Sequence, residues 1–253
     1  MHDNAWEEIF KKYNIDEHNF DEQPFIITAE QIKSATYQFK TTGEREVRIL
    51  CKQDRREDRP EIFKKHGLFL LPIQNGKYAI VKGEGYVDIP EIKQEAIEYK
   101  PKLDFVLDTS KIGNSEMQHL DFAYATSVIR TFLDDPSLVL TIRGRKRTPK
   151  KGFSFFVGKH RLKVKSVQTE VDAGYEGRNK VVLIEAKREK VNNVIIRQLF
   201  YPLKQWSEYT KKEVVPLFFE KEGDCYLFLL FKFEDINDYN SIKLVKTGKY
   251  RII

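Results

Sequence analysis

The residues Val181-Val182-Leu183-Ile184 run without a break into Glu185-Ala186-Lys187, and this junction constrains the fold more than any other feature of the chain. An uninterrupted run of Val, Leu and Ile reads as a strand buried on both faces, of the kind found inside a sheet with helices on either side. Side chains alternate along a strand, so Glu185 and Lys187 share a face. A carboxylate and an ammonium at the end of a buried strand are costly unless something uses the charges. The preceding segment, VQTEVDAGYE, also reads as a strand, with Glu170 and Asp172 on one of its faces. If the two strands pair around the turn at 174 to 180, Asp172 lies near Glu185 and Lys187.

The flanking pattern fits such a sheet. Met117, Leu120, Ala123, Tyr124, Val128 and Phe132 fall near helical spacing, predicting a helix over 115–133 with Ser115 as its cap. A strand, SLVLTIRGR, and a hairpin, FSFFV with HRLKVKSV, come next. After the two strands described above, a helix at about 193–210 precedes two closing strands, VVPLFFE and CYLFLLFKF. A helix between KVVLIEAK and VVPLFFE permits a crossover and hence a parallel pair. The expected class is α/β (α+β), with a central mixed β-sheet flanked by helices.

Upstream, residues 4–13 read as an amphipathic helix with Trp6, Ile9 and Phe10 on one face. Thr28 is the expected cap of a helix over 29–39. Residues 46–52 alternate like a strand, and Pro60 suits the first turn of a helix at 59–66. Asn75-Gly76 between two apolar runs signals a β-hairpin. Helices followed by a hairpin make either a winged helix, a common DNA-docking unit, or a small α+β domain with no DNA role. Residues 84–114 are irregular and polar and read as a connection. This gives an N-terminal recognition or accessory domain, 1–95, and a second domain, 96–253.

Composition narrows the class. The chain of 253 residues carries a net charge of +6 and a pI near 9.0, which favours a polyanionic partner such as nucleic acid. Residues 143–151, RGRKRTPKK, hold six Lys or Arg in nine. No window approaches the roughly 20 apolar residues of a membrane span, and the charged N-terminus has no secretory h-region. The two cysteines suggest neither a disulfide framework nor a zinc site, and the histidines lack ligand spacing, which fits a cytoplasmic protein.

Two carboxylates and a backbone carbonyl form an oxygen-rich site suited to Mg²⁺. Such an ion activates water and stabilises charge on a phosphodiester oxygen, while a lysine beside it can orient or help deprotonate the attacking water, or stabilise the developing phosphorane charge. Asp172 followed by Glu185-x-Lys187 at the end of an apolar strand resembles the PD-(D/E)xK nuclease superfamily; Val171 stands where the family name has its proline. The resemblance implies a restriction-endonuclease-like core from about residue 115 to 233. It implies Asp172, Glu185 and Lys187 as catalytic residues, with Gln198 in RQLFYPLKQW as a further active-site residue. Asp172 and Glu185 would hold the metal, with Glu116 and Glu170 as additional ligand candidates. Tyr201 and Trp206 read as core or helix-face aromatics rather than catalytic groups.

Across the chain, RREDRPEIFKKHGLFLLPI and IRQLFYPLKQW are similar to bacterial type II restriction endonucleases. That implies sequence-specific cleavage of double-stranded DNA and, for a palindromic site, a homodimer. Arg143, Arg145, Lys146, Arg147, Lys150 and Lys151 are the expected DNA contacts, joined by Arg55 and Arg56. The alternatives are a structure-directed repair or defence nuclease of the same superfamily and a catalytically inactive DNA-binding module.

Overall fold

The computed structural model describes residues 2–253. The chain opens with α1 (Asp3–Tyr13), β1 (Phe25–Thr28) and α2 (Ala29–Thr36). Three short helices follow, α3 (Thr42–Arg45), α4 (Val47–Leu50) and α5 (Glu61–Lys65), and then a hairpin of β2 (Leu68–Gln74) and β3 (Lys77–Lys82). α1 buries Ala5, Trp6, Ile9 and Phe10, the stripe expected of it. Thr28 starts α2 with a reciprocal cap: its Oγ1 accepts the Gln31 N–H at 3.2 Å, and Gln31 Oε1 accepts the Thr28 N–H at 2.8 Å. α2 stops at Thr36, short of the expected residue 39. The strand expected at 46–52 is instead α4 and a turn. α4 buries Val47 and Leu50, three residues apart as a helix requires, and the Leu50 carbonyl accepts the Trp6 indole N–H at 3.1 Å. The segment joins no sheet and satisfies its backbone within a helical turn.

The Asn75-Gly76 turn joins β2 to β3 as expected, and β1 completes a sheet of order β1-β3-β2. Both faces of this sheet are buried. Ile27, Leu68, Leu70 and Ile80 pack with the helical residues Trp6, Phe10, Ile32 and Phe63. Phe69, Leu71, Ala79 and Val81 pack against Phe155, Phe200 and Tyr239 from the second half of the chain. The hairpin is therefore a wall shared by two cores rather than a free wing.

The stretch expected to be irregular contains two short strands, β4 (Tyr86–Asp88) and β5 (Ile97–Tyr99). Beyond them lie α6 (Glu116–Ala125), α7 (Val128–Phe132), β6 (Val139–Arg147), β7 (Phe153–Val157), β8 (His160–Val164), β9 (Gln168–Glu176) and β10 (Lys180–Lys187). The chain closes with β11 (Asn193–Ile195), α8 (Arg197–Trp206), β12 (Glu213–Glu222), β13 (Cys225–Phe233) and β14 (Ile242–Ile252). The main sheet has the order β5-β14-β13-β12-β10-β9-β6. It is mixed: β10 pairs parallel with β12 and β14 with β5, and the other pairs are antiparallel. The parallel β10–β12 pair is the one the crossover helix α8 requires. β7–β8 and β4–β11 form separate two-stranded sheets.

The expected single helix over 115–133 breaks into α6 and α7 at Ser127, whose φ is 68°. Thr126 Oγ1 donates to the Phe122 carbonyl at 2.8 Å and draws the helix end onto itself. β14 escaped sequence reading because only Gly248 and Tyr250 of its residues are buried, so it carries no apolar run or clean alternation.

Helices cover both faces of the main sheet. Leu120, Ala123, Ile129 and Phe132 of α6 and α7 pack on Ala173, Val182, Ile184, Phe219 and Phe228. Leu199, Phe200 and Leu203 of α8 pack on Phe218, Leu227 and Leu229 of the other face. This is a helix–sheet–helix architecture of α+β content. Among the described residues no helix is long and apolar enough to cross a membrane, and Cys51 and Cys225 are free.

At Gly174 of β9 an added Cβ would lie 2.6 Å from Ile142 Cβ of β6. Gly174→Ala is expected to destabilise the fold by about 1–3 kcal/mol through overpacking. Urea unfolding checks this as a lower midpoint at unchanged slope.

Candidate active site

β9 and β10 pair from Val181↔Glu176 to Ile184↔Ala173, while β10 keeps its partner β12 as far as Lys187↔Glu220. β10 thus outruns β9 just where its charged residues begin. A bulge accompanies this departure. Between Ile142↔Gly174 and Gly144↔Val171, Arg143 of β6 faces two residues of β9, Asp172 and Ala173. The alternation of β9 reverses there: Ala173 and Tyr175 lie in the core beneath α6 and α7, whereas Val171 lies with Ile142, Val181 and Leu183. The Asp172 carboxylate is left at the end of the ladder, where its Oδ2 accepts the Ala186 N–H at 2.7 Å. Simple alternation on two strands brings Asp172 to the right neighbourhood; the bulge and the strand fork set its final position.

Glu185 is 8% exposed. Its Oε1 accepts a hydrogen bond from Gln198 Nε2 of α8 at 2.7 Å and an ion-paired hydrogen bond from Lys187 Nζ. Burial pushes the Glu185 carboxyl up to about 7; Lys187 opposes that rise and the Asp172 charge adds to it. Asp172 is also raised, by burial first, against the pull of the Ala186 N–H and Lys187, with Glu116 and Glu170 pushing it further up. Burial pulls Lys187 down, but Glu185, Asp172 and Glu116 outweigh it and hold the ammonium above its ordinary value. Two raised carboxyls around one cation describe a site short of positive charge.

Glu116, Glu170, Asp172, Glu185, Lys187 and Gln198 all line one cleft of about 690 Å³. Every residue expected at the catalytic site is therefore brought together. Glu116 stands in the first turn of α6, its Oε1 3.4 Å from the Arg188 N–H. Glu170 is half-committed to Arg145, whose Nε donates at 3.2 Å. Among the described residues, no three His, Cys, Asp or Glu side chains converge into a ready-made metal cluster. Glu116 and Glu170 line the cleft without closing on Asp172 and Glu185.

The donors present nevertheless suit a hard cation. They are oxygens only, and among the described residues Asp172 Oδ1 and Glu185 Oε2 accept no hydrogen bond from the protein. Gln198 Oε1 is a further buried acceptor without a partner. Mg²⁺ is usually held by one or two carboxylates and keeps several waters, which matches this set.

Sequence reading missed the wall opposite these residues. Lys52, Asp54 and Asp58, from the connection between α4 and α5, line the same cleft together with Arg55, which was expected as a DNA contact. Asp54 pairs with Arg197 of α8 at 3.1 Å, and its carbonyl accepts the Ile195 N–H at 2.8 Å. Nothing local in the sequence marks Asp54, because its role arises only from the packing of the two halves.

The expected DNA contacts have varied surroundings. Arg143 Nη2 binds Asp121 Oδ1 of α6 at 2.5 Å. Arg147 Nη1 donates to the Ser166 carbonyl at 3.2 Å, and Lys146 lies over the Trp206 and Tyr209 rings at 4.6 and 4.3 Å. Lys151 pairs with Glu208, and Lys150 is exposed. Arg55 is bound to Asp58 at 2.8 Å on the cleft wall. Arg56 pairs with Asp88 at 2.8 Å and lies 5.8 Å from the Tyr86 ring centroid, which fastens this segment to β4. Tyr201 is buried, with its hydroxyl donating to the Pro72 carbonyl at 3.1 Å.

Gln198 orients the carboxylate it touches. Gln198→Ala is expected to lower any metal-dependent turnover about 10- to 100-fold, the usual loss when a group supporting a metal ligand is removed. Rate measurements at saturating Mg²⁺ check this, with Gln198→Glu as a comparison that introduces a third carboxylate.

No curated protein and no solved structure matches this chain. Residues 3–80 match a family model described as a domain of unknown function, DUF6996, and residues 81–251 match a second, DUF6997, the border between them falling inside β3. The second model spans more than half of the sequence and contains the whole candidate catalytic set, so the chain belongs to the DUF6997 family.

Proposed function

We propose that this protein is a Mg²⁺-dependent DNA endonuclease of the PD-(D/E)xK kind, with a restriction-endonuclease-like core built around β9, β10, α6 and α8. The observation that carries the reading is the fork between β9 and β10. There Asp172 meets a buried Glu185 bound by both Lys187 and Gln198 in one open cleft. Asp172 and Glu185 would hold the ion, which when bound supplies Lewis-acid stabilisation of the phosphodiester and a more acidic water. The protein's own groups do the remainder. Lys187 stays charged between the two carboxylates, so it orients a water and neutralises charge developing on the phosphoryl oxygens rather than removing a proton. Gln198 fixes Glu185. Asp54 and Arg197 lock the N-terminal half against the cleft.

Double-stranded DNA is the proposed substrate, and a homodimer with one site per strand is the proposed assembly for a two-fold symmetric target. Incubating supercoiled plasmid with the protein in Mg²⁺ and in EDTA tests the reading. Discrete Mg²⁺-dependent fragments are the result of a sequence-specific enzyme. A smear or branch-selective products point to a structure-directed nuclease, and binding without cutting contradicts the catalytic assignment.

A further inference from the structure

From Pro136 to Thr169 the chain contains no Asp or Glu but ten Lys and Arg. Of the chain's 44 basic residues these ten create the whole excess, because those outside the stretch are fewer than the 38 acids. Arg143, Arg145, Lys146, Arg147 and Lys151 have the partners given above. The other five differ. Among the described residues Lys150, Lys159, Arg161, Lys163 and Lys165 form no ion pair, and their side chains donate to no protein acceptor.

Four of these belong to the β7–β8 hairpin or its immediate end. Arg161, Lys163 and Lys165 take successive outward positions, and across the ribbon Arg161 is in register with Phe156 and Lys163 with Ser154. Phe156 is 44% exposed on this face. The inward set, Phe153, Phe155, Val157, Leu162 and Val164, is buried in the core under α8. Both edges of the ribbon are pinned. The Phe156 N–H donates to the Asn237 carbonyl at 2.7 Å and the Phe156 carbonyl accepts the Tyr239 N–H at 2.9 Å, while the Lys165 N–H donates to the Ile73 carbonyl at 3.0 Å. The hairpin is a rigid plate with one apolar and one cationic face.

One edge of the plate abuts β2, beside the active site. Ile73 follows Pro72, which lines a groove of about 520 Å³ with Arg48, Lys52, Arg145 and Arg197. That groove shares Glu170, Glu185 and Gln198 with the catalytic cleft. Asp235 and Asp238 flank the far end of the hairpin, but they accept the Asn237 and Asn240 N–H groups at 2.8 and 2.9 Å and are held in their own turn. Three outward cations at alternate positions extend about 13 Å along the strand, an uninterrupted track suited to a phosphate backbone.

We propose that the outward face of β7–β8 is a docking surface for the phosphate backbone of duplex DNA on its way to the cleft. The proposal rests on DNA being the substrate of the site described above.

The test uses the full chain and a fluorescein-labelled DNA duplex in EDTA, with affinity measured by anisotropy over a salt series. Arg161→Gln/Lys163→Gln is expected to weaken binding about tenfold and to reduce the slope of log affinity against log salt by about two, one for each phosphate no longer neutralised. Lys232→Gln/Lys243→Gln, which removes two exposed cations from β13 and β14, is expected to leave the slope unchanged. Both variants alter exposed, unpaired side chains, and matching thermal melts verify their folds.

An unchanged slope in the hairpin variant, equal losses in both variants, tighter binding of the single strand than of the duplex, or no duplex binding by the wild-type chain would each overturn the proposal. Plasmid cutting is scored separately. Cutting with an unchanged hairpin slope rejects the docking surface alone, and a hairpin-dependent slope without cutting rejects the nuclease reading alone.

Discussion

Asp172→Ala and Glu185→Ala are each expected to lower DNA cleavage about a thousandfold or more while leaving duplex binding intact. Glu185 is buried and Asp172 half-buried around the Lys187 ammonium, and burial, with neighbouring carboxylates adding to it, pushes both above their ordinary values. Removing either oxygen donor takes away a preorganised charge site, and losses of that kind reach 10²- to 10³-fold even for one hydrogen-bond donor. In the proposed reading binding rests on basic groups elsewhere, and truncating a carboxylate in the cleft only relieves repulsion of phosphate. Lys187→Ala is expected to lose about 10²-fold through the same argument with opposite charge. Single-turnover cleavage and anisotropy on the same preparations check both halves of the expectation. Full activity in Asp172→Ala would contradict the assignment.

The second large effect is on stability. Glu185 has an ordinary value near 4.5 and is pushed up to about 7 in the fold, chiefly by burial. A raised carboxyl binds more protons in the folded chain than in the unfolded one. Its contribution is therefore fully present below about 4.5 and lost as pH rises through about 7. Asp172 shifts in the same direction. In EDTA, the melting temperature is expected to fall by several degrees across this interval, since about 1 kcal/mol moves Tm by roughly 2–4 °C at this size.

Mg²⁺ is expected to flatten the decline, because an ion bound by the folded chain alone stabilises it and favours the ionised carboxylates. Glu220 is a second buried carboxyl pushed up to about 7 by burial, so Glu220→Gln isolates the share that belongs to the cleft. Asp172→Asn is expected to melt higher than wild type in EDTA above neutral pH and to lose its response to Mg²⁺. A melting temperature that rises through this interval in EDTA, or that ignores Mg²⁺, would show that the carboxyls are not a strained metal site.

The parts of the fold visible in the sequence were those with strong local signals. The apolar run ending in Glu185-Ala186-Lys187 announced a buried strand, Thr28 and Ser115 announced helix starts, and Asn75-Gly76 announced the hairpin. Asp172 was found because antiparallel pairing across a short turn is itself local. The bulge that places its carboxylate was not, since it depends on Arg143 of β6 meeting two residues of β9. The segment at 46–52 misled because Val47, Ile49 and Cys51 alternate, whereas the helical turn is bound at Leu50 by Trp6, forty-four residues earlier. Asp54 and Arg197 were invisible for the same reason: their pairing spans the two halves. Arg161 and Lys163 drew no functional reading from the sequence, because their lack of partners and the hairpin's bond to Ile73 appear only in the fold.

The central claim is that the β9–β10 fork cuts the phosphodiester backbone with Asp172 and Glu185. Mapping the ends produced on DNA of known sequence, with wild type and Asp172→Ala side by side in Mg²⁺ and in EDTA, tests it most directly. The account predicts new ends at a fixed sequence from wild type in Mg²⁺ alone. DNA left whole by the wild type, or the same ends produced by Asp172→Ala, would contradict it.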